Sequence, residues 1–364
     1  MPRASILNYA HAVILAGGSG TRFWPASRRK RPKQLLKDVF VPGTLLEQTV
    51  ERISPLIPSD RVHIFTNTLL KPQIAKLLPK IPCSQIVAEP AARNTAPTLG
   101  LAAHEILGRD PDGVMVILPS DHLIAKPAAF RQVLRAAVEW AATAGRSALV
   151  GLNPAWAHTG FGYIRRGSLA GQVRGQKIYQ VASFEEKPDA QRAAEYVASG
   201  DYFWNGGMFI WRASTLVKNL ERLEPEMADG LARIAKAGGA ASTKTFNRIY
   251  PTLKKVSIDY AVAEKVSDAY VLPADFGWSD VGSWSEVYTA RPKDAEGNAR
   301  PKRSFCLDSQ GNLISANRFV AAVGVRDLII IETDDAILVA DRNRTQDVGK
   351  AVAAMDAEGW KELL

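Results

Sequence analysis

The chain has 364 residues, 46% hydrophobic and 23% charged, enough for one large globular domain and a smaller one. Its formal net charge is +9, from 46 Lys and Arg against 37 Asp and Glu. No basic run carries interleaved aromatics, so small phosphorylated molecules fit that balance better than nucleic acid. Two cysteines and no apolar run of membrane-spanning length argue against a disulfide framework, a cysteine metal site and a membrane span, and a cytoplasmic location is expected.

In chain order, residues 12–15 predict a short buried strand. It feeds Gly17-Gly18-Ser19-Gly20-Thr21-Arg22-Phe23-Trp24-Pro25, closed by Pro32-Lys33. Backbone N–H groups of a glycine bend after a strand can cradle phosphate, and Arg22 and Lys33 add fixed positive charge. Gly20 is followed by Thr21-Arg22 rather than Lys-Ser/Thr, which excludes the P-loop. Phe23 stands where the dinucleotide fingerprint needs its pattern to continue to glycine, which excludes that loop too. The remaining reading is a nucleoside triphosphate held for chemistry at phosphorus, with Leu15, Ala16, Gly17, Gly18, Gly20 and Thr21 as candidate nucleotide contacts.

Residues 45–53 predict a helix, and 62–66 and 85–88 predict strands. Between strand and helix comes Glu89-Pro90-Ala91-Ala92-Arg93-Asn94-Thr95-Ala96-Pro97. A carboxylate such as Glu89 can accept the two donors on guanine's edge. Asn94 and Thr95 serve either the nucleotide or a helix cap. After a helix over 96–107, the apolar strand 114–118 ends at Pro119-Ser120-Asp121-His122. Ser120 joins the nucleotide candidates. Asp121 suits Mg²⁺ or caps the turn. A helix over 128–144 and a strand over 148–151 continue the alternation. That alternation predicts an α/β fold with a Rossmann-like, mostly parallel mixed sheet and helices on both faces. Ligands bind beyond the carboxyl ends of such strands, where the glycine bend and Asp121 both fall.

The pattern then changes. Gly160-Phe161-Gly162-Tyr163 offers a close backbone approach, and 178–185 and 207–211 predict strands. Phe184-Glu185-Glu186-Lys187-Pro188 and Trp204-Asn205-Gly206-Gly207-Met208-Phe209 carry groups for sugar hydroxyls (Glu186, Asn205) and a sugar phosphate (Lys187), although each also reads as a surface turn. Helices are predicted over 214–237, 243–250 and 259–265, the last with Asp259 near its start. Asp280, within Phe276 to Trp284, is a second metal carboxylate or an Asx turn. A polar linker over 291–303 separates a domain over 1–290 from a small C-terminal β domain over 291–364. Strands are predicted there at 306–307, 313–315, 319–325, 328–332 and 336–340, like a few turns of β-helix, and a helix at 345–355. This appendage is a candidate homodimer surface.

These motifs together resemble the sugar-1-phosphate nucleotidyltransferases, most closely their mannose-1-phosphate guanylyltransferase branch, over nearly the whole chain. The family pattern Gly-Gly-x-Gly-x-Arg-x-x-Pro with a downstream Pro-Lys is met by Gly17 to Pro25 and Pro32-Lys33. Glu89 to Pro97, Leu118 to His122, Phe184 to Pro188, Trp204 to Phe209, Ser257 to Ala261 and Trp278 to Trp284 are similar to the mannose/guanosine branch. The resemblance implies the nucleotide-diphospho-sugar transferase fold and an Mg²⁺ cofactor. It implies in-line attack of mannose 1-phosphate on the α-phosphorus of GTP, giving GDP-mannose and pyrophosphate. Arg22 and Lys33 would be the catalytic cations on the triphosphate, and Asp121 and Asp280 would hold the metal. Lys187 would hold the sugar phosphate and Glu186, Asn205 and Gly162 the sugar, with Asp259 near the same pocket. Bifunctional relatives continue into a cupin-type isomerase domain, so no isomerase activity is expected of a chain that stops at Leu364. Alternatives are another hexose 1-phosphate or nucleoside triphosphate, or a non-catalytic regulatory subunit.

Overall fold

The computed structural model describes residues 8–18, 20–144 and 146–364, so Ser19 of the glycine bend lies outside the described residues. The chain divides into two compact units. One holds the described residues up to Gly17, Val50–Ser120 and Ile124–Trp278; the other holds Gly18–Thr49, Asp121–Leu123 and Ser279–Leu364.

The first unit is built on a nine-stranded mixed sheet. Its first strands are β1 (Ala10–Leu15), β2 (Val62–Asn67), β3 (Ile86–Glu89) and β4 (Val114–Pro119). After the two-residue β5 (Leu123–Ile124) come β6 (Ser147–Leu152), β7 (Gly162–Val173), β8 (Gln176–Glu186), β9 (Tyr202–Arg212) and β10 (Ala269–Ala274). The order is β3-β2-β1-β4-β9-β6-β10-β8-β7. Pairing is parallel through β3, β2, β1 and β4 and again between β6 and β10; β9 and the β7–β8 hairpin pair antiparallel. β1 and β4 are continuous apolar runs because they are buried on both faces, as central strands of a layered sheet are. Their register sets Leu15 beside Pro119, and the Ser120 N–H donates to Leu15 O at 3.1 Å. Both strands therefore deliver their carboxyl ends to one edge of the sheet.

Helix α1 (Leu45–Ile53) precedes β2, and α2 (Lys71–Leu77), α3 (Thr95–Leu107), α4 (Pro127–Ala144) and α5 (Ala190–Ser199) follow in this unit. The predicted helix over 214–237 is two helices, α6 (Ala213–Leu223) and α7 (Pro225–Lys236). Pro225 cannot continue α6, because it lacks an N–H and its ring disfavours helical backbone at Glu224. α8 (Thr243–Ile249) follows, and Asp259–Ala263 forms a π-helical turn. Leu99, Ala103, Leu216, Leu231 and Tyr250 pack in one core with Val13, Met115 and Phe209 of the sheet. The strand predicted over 207–211 is the second half of the longer β9. The sequence reading contained no β7, since its outer part alternates among exposed polar residues and offers no apolar run.

The second unit contains β11 from Ser279 onward (Trp278–Ser279), α9 (Trp284–Ala290), β12 (Ser304–Leu307), β13 (Leu313–Ser315), β14 (Val320–Val323), β15 (Leu328–Glu332), β16 (Ile337–Asp341) and α10 (Val348–Glu358). β12 pairs parallel with β14 and β13 parallel with β15, the stacking of a short β-helix; β16 closes it antiparallel to β15. Buried asparagines hold the corners: Asn312 Nδ2–H donates to Asn298 Oδ1 at 2.9 Å, and the Leu328 N–H donates to Asn312 Oδ1 at 2.9 Å. The expected α/β sheet with a small β-helix-like appendage is thus what the chain forms. Among the described residues no helix is long and apolar enough to cross a membrane.

Candidate active site

In the second unit the glycine bend follows from local sterics. Gly20 adopts φ 62°, and a Cβ there would lie 2.6 Å from Lys33 Cβ, so glycine is what lets the bend close on the lysine. Ser27 Oγ–H donates to Gly20 O at 2.6 Å, and a 3-10 turn runs over Thr21–Phe23. Phe23 is buried edge-on to Phe40 and Trp284, with ring centroids 4.9 and 5.3 Å away. Thr21 and Arg22 are left exposed.

Lys33 is only 5% exposed. Its Nζ–H groups donate to Asp121 Oδ2 at 2.9 Å and to the carbonyl oxygen of Asp280. Burial works to raise the Asp121 carboxyl, but the charges of Lys33 and His122 and the Lys33 hydrogen bond outweigh it and hold Asp121 below the usual carboxylate range. Asp280 moves the other way: burial, then the charge of Glu286, push it up to about 6, and Asp121 adds to the push. Gly282 separates two of these carboxylates, since a Cβ there would lie 3.0 Å from Glu286 Oε1 and 3.1 Å from Asp280 Oδ2. Val281 holds φ 45°, a left-handed conformation that costs a β-branched residue on the order of 1–3 kcal/mol. Gly20, Thr21, Arg22, Lys33, Asp121 and Asp280 line one cavity of about 340 Å³. Among the described residues the Arg22 guanidinium has no hydrogen-bond or ion-pair partner.

The first unit carries the other candidates in three groups. At the strand ends, the Ala16 N–H donates to Phe65 O at 2.8 Å, and a Cβ on Gly17 would meet nothing within 4 Å. At the end of β3, Glu89 Oε1 accepts the Thr98 hydroxyl at 2.5 Å and the Tyr250 hydroxyl as well. Burial raises the Glu89 carboxyl in spite of both bonds. Asn94 sits at φ 65° and caps α3, its Oδ1 accepting the Thr95 N–H at 2.9 Å. Thr95 Oγ1 accepts the Ile258 N–H at 2.8 Å, so both residues pin the helix start.

The third group gathers Gly162, Glu186, Lys187, Asn205 and Asp259. Gly162 is the register partner of Glu186, and a Cβ on it would lie 2.3 Å from Glu186 Oε2, a buried atom with no hydrogen-bond partner. Asn205 Nδ2–H donates to Asp259 Oδ1 at 2.8 Å, and Lys187 Nζ, on a largely exposed side chain, stands 3.1 Å from Glu186 Oε1. Burial, then the Asp259 charge, raises the Glu186 carboxyl; burial likewise raises Asp259.

A profile described as Nucleotidyl transferase matches residues 11–297. The chain belongs to the nucleotidyl transferase family. A second profile, described as MannoseP isomerase/GMP-like beta-helix domain, matches residues 302–355. The chain is 38% identical over 349 residues to a mannose-1-phosphate guanylyltransferase of Escherichia coli, covering 93% of this chain and 72% of that one. It is 37% identical over 361 residues to the alginate biosynthesis protein AlgA of Pseudomonas aeruginosa, covering 96% and 73%. Among solved structures it resembles a Thermus thermophilus protein described as a mannose-1-phosphate geranyltransferase, with TM-score 0.84, 31% identity, and 96% and 99% of the two chains covered.

Four residues and one aromatic cluster are candidates that the sequence signals only weakly, or not at all, as part of a site. Glu286 stands in the first turn of α9, accepting Ser279 Oγ–H at 2.8 Å. Its signal was an acid only six residues past Asp280, in the same motif. Glu264 accepts the Glu186 N–H at 3.1 Å, one π-turn after Asp259. Such π-turns gather at functional sites but leave no mark in periodicity. Tyr250 and Thr98 had no signal beyond a buried helix face. Trp156, His158, Phe161, Trp204 and Trp278 form an aromatic cluster, with His158 stacked on Phe161 at 4.0 Å and Trp204 against Trp156 and Phe161 at 5.1 Å. Its members are too scattered in sequence to be read as a unit.

The donor set fits Mg²⁺. Asp121, Asp280 and Glu286 are crowded carboxylates beside the buried Lys33, and burial, then the charge of Glu286, raises the Asp280 carboxyl. Hard carboxylate oxygens suit Mg²⁺, which completes its shell with water and phosphate. Among the described residues no group of three or more His, Cys, Asp or Glu is placed to cage a metal alone.

Proposed function

We propose that this chain transfers GMP from GTP to mannose 1-phosphate, giving GDP-mannose and pyrophosphate. The observation that carries the reading is the cavity in which an unpartnered Arg22 and a buried Lys33 face Asp121 and Asp280. The naming of the relatives supports the choice of sugar and base.

A phosphate oxygen of mannose 1-phosphate attacks the α-phosphorus in line. The bond from that phosphorus to the bridging oxygen breaks, and pyrophosphate leaves with the electron pair. Catalysis of this step is mostly positioning and charge stabilisation. Arg22 presents a planar fork of donors that suits two phosphate oxygens at once. Lys33, fixed by Asp121 and Asp280, supplies a point charge that does not have to be ordered when substrate arrives. Leu15, Ala16, Gly17, Gly18, Gly20, Thr21 and Ser120 line the nucleotide backbone. Glu89, through its carboxylate, reads the base with Asn94 and Thr95. Glu186, Asn205, Asp259 and the bare Gly162 meet sugar hydroxyls, and Lys187 the sugar phosphate. Asp121 and Asp280 would hold Mg²⁺, whose chemistry is to neutralise phosphate charge. We take residues 1–290 as the transferase domain and 291–364 as the β domain. The two unpaired cysteines, Cys83 and Cys306, suit a reducing cytoplasm.

Pyrophosphate release measured across four nucleoside triphosphates and several hexose 1-phosphates tests the reading. GTP with mannose 1-phosphate is expected to give the highest kcat/KM. UTP or dTTP with glucose 1-phosphate outrunning it would overturn the specificity, and no turnover with any pair would leave a non-catalytic subunit.

A further inference from the structure

We propose that α10 is a positioning element for the phosphate-binding turn, with Gly349 as the seat on which Arg22 rests. The proposal rests on the reading of Arg22 as a triphosphate ligand. Nothing polar in the described structure aims the Arg22 guanidinium, so its direction depends on what packs against its stem. That neighbour is the start of α10. A Cβ on Gly349 would lie 3.7 Å from Arg22 Cγ and 3.7 Å from Thr21 Oγ1, so a single carbon there already touches both residues and a longer side chain would press on them.

The rest of the C-terminal segment fastens the same turn. Trp24 Nε1–H donates to Leu363 O at 2.8 Å, and Trp284 Nε1–H donates to Trp24 O at 3.1 Å. Arg29 Nη2–H donates to Asp356 Oδ1 at 2.8 Å. Val348 and Val352 are buried on the same side of the helix. A cavity of about 320 Å³ remains between Trp24, Ser27, Val352 and Ala353, so the clamp touches the turn at discrete points rather than along a solid face. Discrete contacts can transmit a small shift of the helix directly to Thr21 and Arg22. Arg22 touches phosphate, and Gly349 acts through it.

The test is steady-state kinetics of GTP and mannose 1-phosphate turnover on Gly349→Leu, Trp24→Phe, Arg22→Ala and the Arg22→Ala/Gly349→Leu double variant. Ala354→Leu, on the exposed side of α10, controls for helix damage. Gly349→Leu is expected to lower kcat/KM for GTP about 10- to 100-fold, the effect of displacing a positioned group by about an ångström. KM for mannose 1-phosphate and the melting temperature are expected to stay near wild type. In the Arg22→Ala background the leucine is expected to add nothing, since no guanidinium remains to be displaced. If Gly349→Leu does not fold, Trp24→Phe is expected to show a smaller loss of the same kind. Wild-type GTP kinetics in Gly349→Leu or Trp24→Phe beside an inactive Arg22→Ala overturns the positioning role and leaves the reading of Arg22 standing. A loss shared equally by both substrates overturns it too. Full turnover in Arg22→Ala overturns the reading of Arg22 and the proposal with it.

Discussion

The two units treat buried charge differently. In the loop unit a buried ammonium meets crowded carboxylates: Lys33 holds Asp121 low, while burial, then the charge of Glu286, holds Asp280 high. In the sheet unit the candidate-site carboxylates meet neutral or exposed partners. Glu89 takes two hydroxyls, Asp259 an amide, and Glu186 an ammonium that is itself 58% exposed. An environment of crowded carboxylates beside a fixed ammonium is suited to a metal and a polyphosphate. An environment of desolvated acceptors without counter-charge is suited to sugar hydroxyls and a base edge, which donate hydrogen bonds and bring no charge there.

Removing Asp280 tests the loop unit hardest. Asp280→Asn keeps the backbone carbonyl that Lys33 uses and removes a carboxylate that Glu286 and Asp121 repel. Turnover with Mg²⁺ is expected to fall on the order of 10³-fold, the scale of losing a preorganised charge contact. The melting temperature is expected to hold or rise, because relieving like-charge repulsion stabilises while function is lost. Near-normal turnover would take Asp280 out of the metal set. A cooperative loss of the fold would make it structural.

Glu186→Gln tests the sheet unit on the same terms. Its Oε2 is buried beside Gly162 without a partner, so a bound hydroxyl would be its first donor. A hydrogen bond to a charged acceptor contributes about 1.5–3 kcal/mol, so kcat/KM for mannose 1-phosphate is expected to fall about 10- to 100-fold. KM for GTP is expected to stay unchanged. A shift in the GTP constant instead would erase the division of labour between the two environments.

How much of this was legible depended on how local each signal was. The glycine bend, Arg22, Lys33, Asp121 and Asp280 were readable because each lies in a short motif whose geometry is local: Gly20 must be glycine to close on Lys33. The central strands were readable because burial on both faces writes continuous apolar runs. The break at Pro225 is also written in the sequence, but the helical period of the apolar residues runs across it and masks it. Glu264, Tyr250 and the aromatic cluster were not legible. Glu264 reaches Glu186 through a π-turn and a contact 78 residues away in sequence, and Tyr250 reaches Glu89 across 161. No window of periodicity spans such distances.

The histidines of the sheet unit extend the contrast to pH. His63 of β2 is buried, and burial, with His11 and Arg109 nearby, lowers its pKa from 6.5 to about 3. His11 is lowered as well, chiefly by burial, although Asp110 at 3.3 Å pulls it upward against Arg61 and Arg109. Between pH 6.5 and about 3 the unfolded chain therefore binds protons that the folded chain refuses. Stability is expected to be full above about pH 6.5 and to fall as the medium is acidified, by up to about 1.4 kcal/mol per pH unit for each such histidine. Urea unfolding at a series of pH values from about 4 to about 7 measures that slope. His63→Leu is expected to flatten it by close to one proton. An unchanged slope would mean that His63 is protonated in the fold.

The smallest expected effect probes Glu89. Tyr250→Phe removes one of the two hydroxyls on Oε1 while Thr98 still donates, so the carboxylate is left with a partner. The lost bond is expected to cost about 1 kcal/mol, seen as a lower urea midpoint with an unchanged slope. If Glu89 also reads the base, loosening it is expected to raise KM for GTP a few-fold and to leave KM for mannose 1-phosphate alone. Loss of stability with unaltered GTP kinetics would make Glu89 a strut between β3 and α3. The base would then be read by the backbone of the Asn94 turn, whose φ of 65° and helix-start position are fixed independently of that carboxylate.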